Sequence, residues 1–376
     1  MKLIVVLVGD ILKFPPTVSL INVLGDLHVP TVLITTKSDY SSDLDTLTVD
    51  MLDVDYDAIK SPIKKLSMIP SVRKKLWKKI DEYYTDDDVI WVVTDVSVKF
   101  LGYKLIGRRY VLQFLELLDS LRYYRKASFT KLDEKKLCNN ALQVVVPEYN
   151  RAHILQARWG INKKPYIISN CPYNHETIAK NSNIDDDAAN EIMQRIGSRK
   201  IILYQGVIAP ERPLEPLIKA VSKLGDDYAF VVMSGQKNIY ENIESDNFYY
   251  IPFIAPPGHL QITSHAFIGV LSYVPASNTG YSVLNTLYCA PNKIYEFSQF
   301  GIPMIGNDNP GLRYLFKTEG IGEIFEEWTE KSICETIRKV EEQYDEYAES
   351  VMDFYKKTDV VAQVENVLRA LDIKEV

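Results

Sequence analysis

The sequence predicts an α/β protein built as two successive halves, each a mostly parallel sheet wrapped by helices. Three observations carry this. Short apolar runs of strand length alternate with amphipathic stretches of helix length, the pattern of β-α-β units. The alternation begins at residues 1–8 (MKLIVVLV) and begins afresh at residues 200–204 (KIILY), beyond a polar, acidic stretch at 172–198. At 376 residues the chain is long enough for two domains of roughly 100–200 residues each.

In chain order, residues 1–8 read as a buried first strand, too short and too poor in small residues at its end to be a signal peptide. Phe14-Pro15-Pro16-Thr17 reads as a loop, 18–27 as a helix and 30–35 (PTVLIT) as a second strand. Further strands are expected at 88–94 (DVIWVVT), 109–115 (RYVLQFL) and 142–146 (LQVVV). A helix over 148–159 leads to a last short strand, 165–168, and then to Ser169-Asn170-Cys171-Pro172. In the second half, strands are expected at 200–204, 228–234, 249–254, 266–273 and 302–306. Helices are expected at 214–224, 292–300 and 330–344. The final helices, near 347–357 and 361–371, are placed to cross back to the first half. The expected domains are 1–171 with 357–376, and 172–356. Between two such halves a ligand cleft is expected at the carboxyl ends of the strands.

Composition excludes several classes. The chain is 46% hydrophobic and 25% charged, an ordinary globular balance. No apolar run approaches the ~18–20 residues that span a bilayer. The net charge of −7 argues against a general nucleic-acid binder. Its division is uneven, about +5 up to Ser169 and about −12 beyond, so the first half is the one suited to an anionic partner. Four cysteines (Cys138, Cys171, Cys289 and Cys334) form no CxxC pair and fit a reducing, cytoplasmic setting.

The strongest cationic block runs from Lys60 to Lys79 without an acid and includes Lys74, Lys75, Lys78 and Lys79. Ile69, Val72 and Leu76 give it an apolar helical face with Trp77 at the edge, and Pro62 and Pro70 are expected to split it into two short pieces. Two readings stand: a membrane-facing helix on an anionic surface, or a solvated helix docked on its own domain.

The chemistry concentrates in the second half. In the run Tyr204 to Leu214 (YQGVIAPERPL), a strand ends at Gly206 and a short loop carries Arg212 into a helix start. Free N–H groups and a fixed cation suit a phosphate. In the run Cys289 to Pro303 (CAPNKIYEFSQFGIP), Pro291 falls at the first helical position. Asn292 and Lys293 then lie in the first turn, with Glu296 one turn after Asn292 on the same face. A carboxylate there suits a ribose diol; a salt bridge to a nearby lysine is the plainer alternative. Tyr273, Tyr281 and Tyr288 are expected close by, either stacking on a ligand or packing in the core.

These two motifs, in this order, resemble the GT-B glycosyltransferases, in particular the GT4-like group. The resemblance covers most of the chain and is strongest over residues 204–220 and 291–308. It implies two Rossmann-like doubly wound domains, a nucleotide-sugar donor (a UDP-sugar foremost), a glycan or lipid-linked glycan acceptor, no metal cofactor and retention of configuration. With a membrane-facing basic helix it points to capsule or exopolysaccharide assembly on the inner face of the cytoplasmic membrane. It makes Gly206, Arg212, Asn292, Lys293, Glu296 and Tyr288 the donor-side residues. Glu296 to Pro303 matches the family's E-x-x-x-x-G-x-P pattern, whose glutamate holds the ribose.

Three departures stand out against the family pattern. Val207 occupies the place of an arginine that grips the diphosphate, and Lys293 is the candidate substitute. Tyr288 stands where a first glutamate is usual, and Leu115 where a histidine is. Gly9 and Thr17 correspond to the first loop, beside donor phosphate and acceptor. For the catalytic base, Asp95 and Glu116, with Asp119, are candidates because each follows a strand. These losses leave a non-catalytic, glycosyltransferase-like partner protein as the alternative. The histidines His28, His153 and His175 read as structural, and packing is also the plainer reading of His259 and His265. Neither Asp53-Val-Asp55 nor Asp86-Asp87-Asp88 reads as a metal site. No second glycine follows Gly9 in dinucleotide-binding register.

Overall fold

The computed structural model describes residues 1–59, 61–122, 131–174, 177–276 and 281–372. It forms two compact units. The N-terminal unit comprises Met1–Tyr173, Gly280–Asn285 and Asp359–Val376, and the C-terminal unit comprises Asn174–Thr279 and Thr286–Thr358.

The N-terminal unit follows the order β1 (Leu3–Leu7), α1 (Pro15–Asp26), β2 (Thr31–Thr36), β3 (Leu47–Leu52), α2 (Pro62–Tyr83), β4 (Val89–Val93), α3 (Asp95–Leu101), β5 (Tyr110–Gln113), α4 (Glu134–Asn140), β6 (Gln143–Val146), α5 (Tyr149–Trp159) and β7 (Tyr166–Ile167). Its seven strands lie in the order β3-β2-β1-β4-β5-β6-β7, every pair parallel. The central strands read as continuous apolar runs because helices cover both faces; β1 and β4 are buried at every position. The order reverses between β1 and β4, so the loops leaving these two strands flank the switch point where doubly wound sheets bind ligands.

The C-terminal unit begins with α6 (Asp187–Ile196), β8 (Lys200–Gln205), α7 (Glu215–Ser222), β9 (Tyr228–Ser234), β10 (Phe248–Pro252), α8 (His259–Thr263) and β11 (Ile268–Leu271). After the short α9 (Leu284–Leu287), whose first two residues belong to the N-terminal unit, come α10 (Asn292–Ser298), β12 (Met304–Asn307), α11 (Pro310–Glu319), β13 (Gly322–Phe325), α12 (Glu330–Glu342) and α13 (Tyr344–Lys357). The sheet order is β10-β9-β8-β11-β12-β13, again all parallel, with its switch point between β8 and β11. The last helix, α14 (Val360–Ala370), packs with α1 in the N-terminal unit.

Several local expectations need correction. Pro15 and Pro16 are not a loop but open α1, where a missing N–H costs nothing because the first turn's N–H groups have no helical acceptor. Pro70 does not split the basic block; α2 runs unbroken for 22 residues. Val72, Leu76, Trp77 and Ile80 anchor it in the core, and Pro70 sits on the exposed side, where the carbonyl it orphans can meet water. Trp77 is not at a solvent edge. It is buried and its indole donates to the Leu101 carbonyl at 3.2 Å. The polar stretch read as a join contains a full helix, α6, held by Ala189 and Ile196. The edge strands β3 and β13 were not anticipated. No helix among the described residues is long and apolar enough to cross a membrane.

Candidate functional site

The C-terminal switch point gathers most of the predicted donor-side residues. Strand β8 ends at Gln205, and Gly206 follows with φ +123°, a conformation open to glycine. Its N–H stays in the sheet, donating to the Met233 carbonyl at 2.9 Å. The loop beyond is pinned at several points. Tyr204 Oη donates to the Val207 carbonyl at 2.6 Å. The Ile208 N–H donates to Gln236 Oε1 at 3.2 Å. The Val274 N–H donates to the Glu211 carbonyl at 2.8 Å. Arg212 therefore enters α7 from a fixed loop. Beyond β11, Tyr273 is clamped from both sides by Asn307, whose side chain accepts from its N–H at 2.8 Å and donates to its carbonyl at 2.7 Å.

Helix α10 points at this switch point. Pro291 is its N-cap rather than its first helical residue, so Lys293 and Glu296, three apart, share the buried face, while Asn292 is half-buried at the start. Lys293 Nζ lies 4.3 Å from the Tyr204 ring centroid and 5.4 Å from that of Tyr273. The Arg212 guanidinium is 5.5 Å from the Tyr273 centroid. A Cβ on Gly206 would stand 3.4 Å from Lys293 Nζ. The Lys293 amine is buried and no hydrogen-bond acceptor reaches it. Burial, reinforced by the Arg212 charge, pushes its pKa well below the usual lysine range, against the pull of Glu296 and Cys289. Burial likewise lifts Tyr204 to about 12.

Glu296 is committed inward rather than to a lysine. Its Oε2 accepts from Gln205 Nε2, and its Oε1 lies 3.5 Å from His259 Nε2. Burial raises its pKa, but His259, Gln205 and Lys293 together outweigh that and leave it below the ordinary glutamate value. Tyr288 is half-buried with its backbone against the start of α11, since a Cβ on Gly311 would come within 3.1 Å of its Cα. Tyr281 falls in the N-terminal unit, whereas Tyr273 and Tyr288 fall in the C-terminal one.

In the N-terminal unit, Gly9 follows β1 with φ +147° beneath the Phe14 ring, and Thr17 is buried in the first turn of α1. Asp95 opens α3 and is ion-paired with Lys99. The residue before it, Thr94, has φ +71°, strained for a β-branched side chain. Such strain recurs at functional turns, and here the hydroxyls of Thr94 and Ser97, 3.1 Å apart, brace it. Glu116 accepts from Asn285 Nδ2 at 2.7 Å and lies 3.9 Å from Arg151. Asp119 pairs with Arg158 at 2.6 Å. All three base candidates thus have cationic neighbours.

On α2, Lys74, Lys75 and Lys78 are exposed, whereas Lys79 is tied to Asp50 at 2.9 Å. Asp88 is a buried structural carboxylate, accepting from the Lys2 and Thr85 N–H groups. Among the described residues no group of three or more His, Cys, Asp or Glu could hold a metal ion. His175 and Lys60 lie outside the described residues.

Neither a protein-family model nor a curated protein matches this sequence. Solved structures do match in shape. An α,α-trehalose-phosphate synthase (UDP-forming) from Burkholderia vietnamiensis has a TM-score of 0.70 at 10% identity, covering 99% of this chain and 100% of that one. A sucrose-phosphate synthase from Thermosynechococcus elongatus has a TM-score of 0.67 at 13% identity, covering 99% of both chains. The Anabaena protein HepE, solved in complex with UDP, has a TM-score of 0.62 at 11% identity, covering 99% and 100%.

The fold is GT-B. Within this GT-B frame, Gly206, Arg212, Lys293 and Glu296 converge at the C-terminal switch point. Sequence reasoning did not single out Gln205, Thr263 or Thr94, and it read His259 as packing. A glutamine ending a strand and a histidine opening a five-residue helix carry no local signal of the carboxylate between them.

Proposed function

We propose that this protein is a glycosyltransferase. Its C-terminal unit takes a nucleotide-sugar donor, a UDP-sugar foremost, and its N-terminal unit takes a glycan or lipid-linked glycan acceptor. One observation carries the reading. The Lys293 amine is buried without an acceptor next to Arg212 and the Gly206 turn. A buried amine so placed beside a guanidinium is costly unless an anion completes the site. A diphosphate beside Gly206 supplies that charge, and the same cations stabilise it as it leaves with the nucleotide. Glu296 holds the ribose, and Asn292 and Tyr288 flank the donor. Asp95 or Glu116 is the acceptor-side base, with Gly9 and Thr17 beside acceptor and phosphate. The family resemblance favours retention of configuration and a place in capsule or exopolysaccharide synthesis.

We also propose a peripheral contact with an anionic membrane through α2, in a cytoplasmic setting supported by four free cysteines. Exposed Ile63 (77%) and Leu66 (37%) sit on the same helix as exposed Lys64, Lys74, Lys75 and Lys78, an arrangement suited to interfacial binding.

The test is thermal shift and calorimetry with UDP, GDP, TDP and CMP, with and without EDTA, followed by hydrolysis of the sugar conjugates of whichever binds. Saturable binding of one nucleotide that survives EDTA supports the reading, and absence of binding by all four ends it. A second reading, a non-catalytic glycosyltransferase-like protein, is favoured by the pairing of Asp95, Glu116 and Asp119 with cations and by the exposed Val207. Binding without any turnover would select it.

A further inference from the structure

Four side chains at the C-terminal switch point close a ring. Thr263 Oγ1 donates to Gln205 Oε1 at 2.7 Å, Gln205 Nε2 donates to Glu296 Oε2, and Glu296 Oε1 faces His259 Nε2 at 3.5 Å. His259 and Thr263 are one turn apart on α8, where Thr263 Oγ1 also lies 3.1 Å from the His259 carbonyl. The ring joins the end of β8, both ends of α8 and the buried face of α10. Its hydrogen-bond sense is determined. Reversing the Gln205 amide would turn its carbonyl towards a carboxylate, so Glu296 fixes the amide and the threonine hydroxyl donates to the oxygen left facing it.

Both carboxylate oxygens are thereby held on their inner side, while each keeps lone-pair capacity for another donor. His259 Nδ1 is buried with no partner, so the ring nitrogen that faces Glu296 makes the imidazole's polar contact. A half-buried imidazole whose Nδ1 is buried and orphaned is a cost to the fold, which a role in orienting Glu296 would explain.

We propose that His259, with Gln205 and Thr263 behind it, is a positioning residue that fixes the Glu296 carboxylate for a ligand diol. The inference rests on the reading of Glu296 as the ribose-holding group. His259 does not touch the ligand in this scheme; it acts through Glu296.

The test compares UDP with 2′,3′-dideoxy-UDP by calorimetry on the full chain, as wild type, H259A, H259Q and T263V. Wild type should prefer UDP by about tenfold or more, the range of a charged hydrogen-bond pair. H259A should lose most of that preference by weakening UDP while leaving dideoxy-UDP within about twofold, on the same scale. H259Q, whose amide can still donate, should restore the preference. T263V, which removes only the hydroxyl, should lose part of it, and this variant keeps the test decisive if H259A fails to fold. Equal weakening of both ligands, or of neither, would overturn the positioning role. A wild type that binds both ligands equally would remove Glu296 from the ribose. A wild type that binds neither would remove the nucleotide reading itself.

Discussion

Lys293 and Arg212 stand over the same tyrosine, the amine 5.4 Å and the guanidinium 5.5 Å from the Tyr273 ring centroid. One comes from a helix and the other from a loop more than 80 residues earlier, yet both meet at the β8–β11 switch point. The charge of Arg212 adds to burial in lowering the proton affinity of Lys293, so the two cations are set against each other.

Replacing Lys293 with Met should therefore separate binding from stability. UDP affinity should fall by about a hundredfold, the ~3 kcal/mol of a buried charge-assisted contact. The melting temperature should hold or rise, because a buried group without an acceptor is exchanged for an apolar one of similar length. The sign with pH follows. Lys293 has a depressed folded pKa, so the unfolded chain binds more protons between that value and 10.5, and stability from this group rises with pH across that window. Melting curves of wild type and K293M should diverge on descending from pH 10; parallel curves would show that Lys293 is not depressed.

Glu296 should behave in the opposite sense. Its folded pKa is below 4.5, so its stabilising contribution is complete above the unfolded value and is lost as pH falls through the folded one. E296Q should flatten the acid limb of the stability profile. It should also weaken UDP binding about 10- to 100-fold, as expected for losing a charged hydrogen-bond partner. Unchanged UDP affinity in E296Q would take Glu296 out of the site.

Gly206 should resist substitution. At φ +123° an L-residue is strained, and a Cβ would press to 3.4 Å from Lys293 Nζ. G206A should cost roughly 1–3 kcal/mol in denaturant unfolding and reduce nucleotide binding. A fully stable, fully binding G206A would show that the turn can relax.

The acceptor side has a kinetic test. D95N and E116Q should each be assayed for turnover and for UDP affinity. Loss of about 10²–10⁴ in kcat in one of them, with unchanged nucleotide binding, would identify the general base. Full activity in both would exclude them.

The membrane contact is tested on α2. The triple variant K74E/K75E/K78E should lose binding to anionic vesicles, at about 1 kcal/mol per charge removed, and salt should mimic the effect. Lys79 is left out because its amine serves Asp50. Vesicle binding that survives the triple variant would show that α2 is simply a solvated helix.

Much of the architecture was legible in the sequence because buried parallel strands announce themselves as short apolar runs. β1, β4, β8 and β9 were read to within a residue or two. β3 and β13 escaped because edge strands mix polar and apolar positions, as Leu47–Leu52 does with a single fully buried residue. Pro70 misled because its propensity is local, whereas α2 is held by burial of Val72, Leu76, Trp77 and Ile80.

Sequence alone determined the doubled β-α-β order, the glycine turn at Gly206 and the placement of Lys293 and Glu296 on one helix. These follow from chain-local periodicity and turn chemistry. Only the tertiary structure decided what surrounds them: that Trp77 is core, that residues 280–285 belong to the N-terminal unit, and that Gln205, His259 and Thr263 close on Glu296. Those contacts on Gln205 and Glu296 join residues 37 to 91 positions apart across a strand and two helices, and no spacing rule within one element reaches that far.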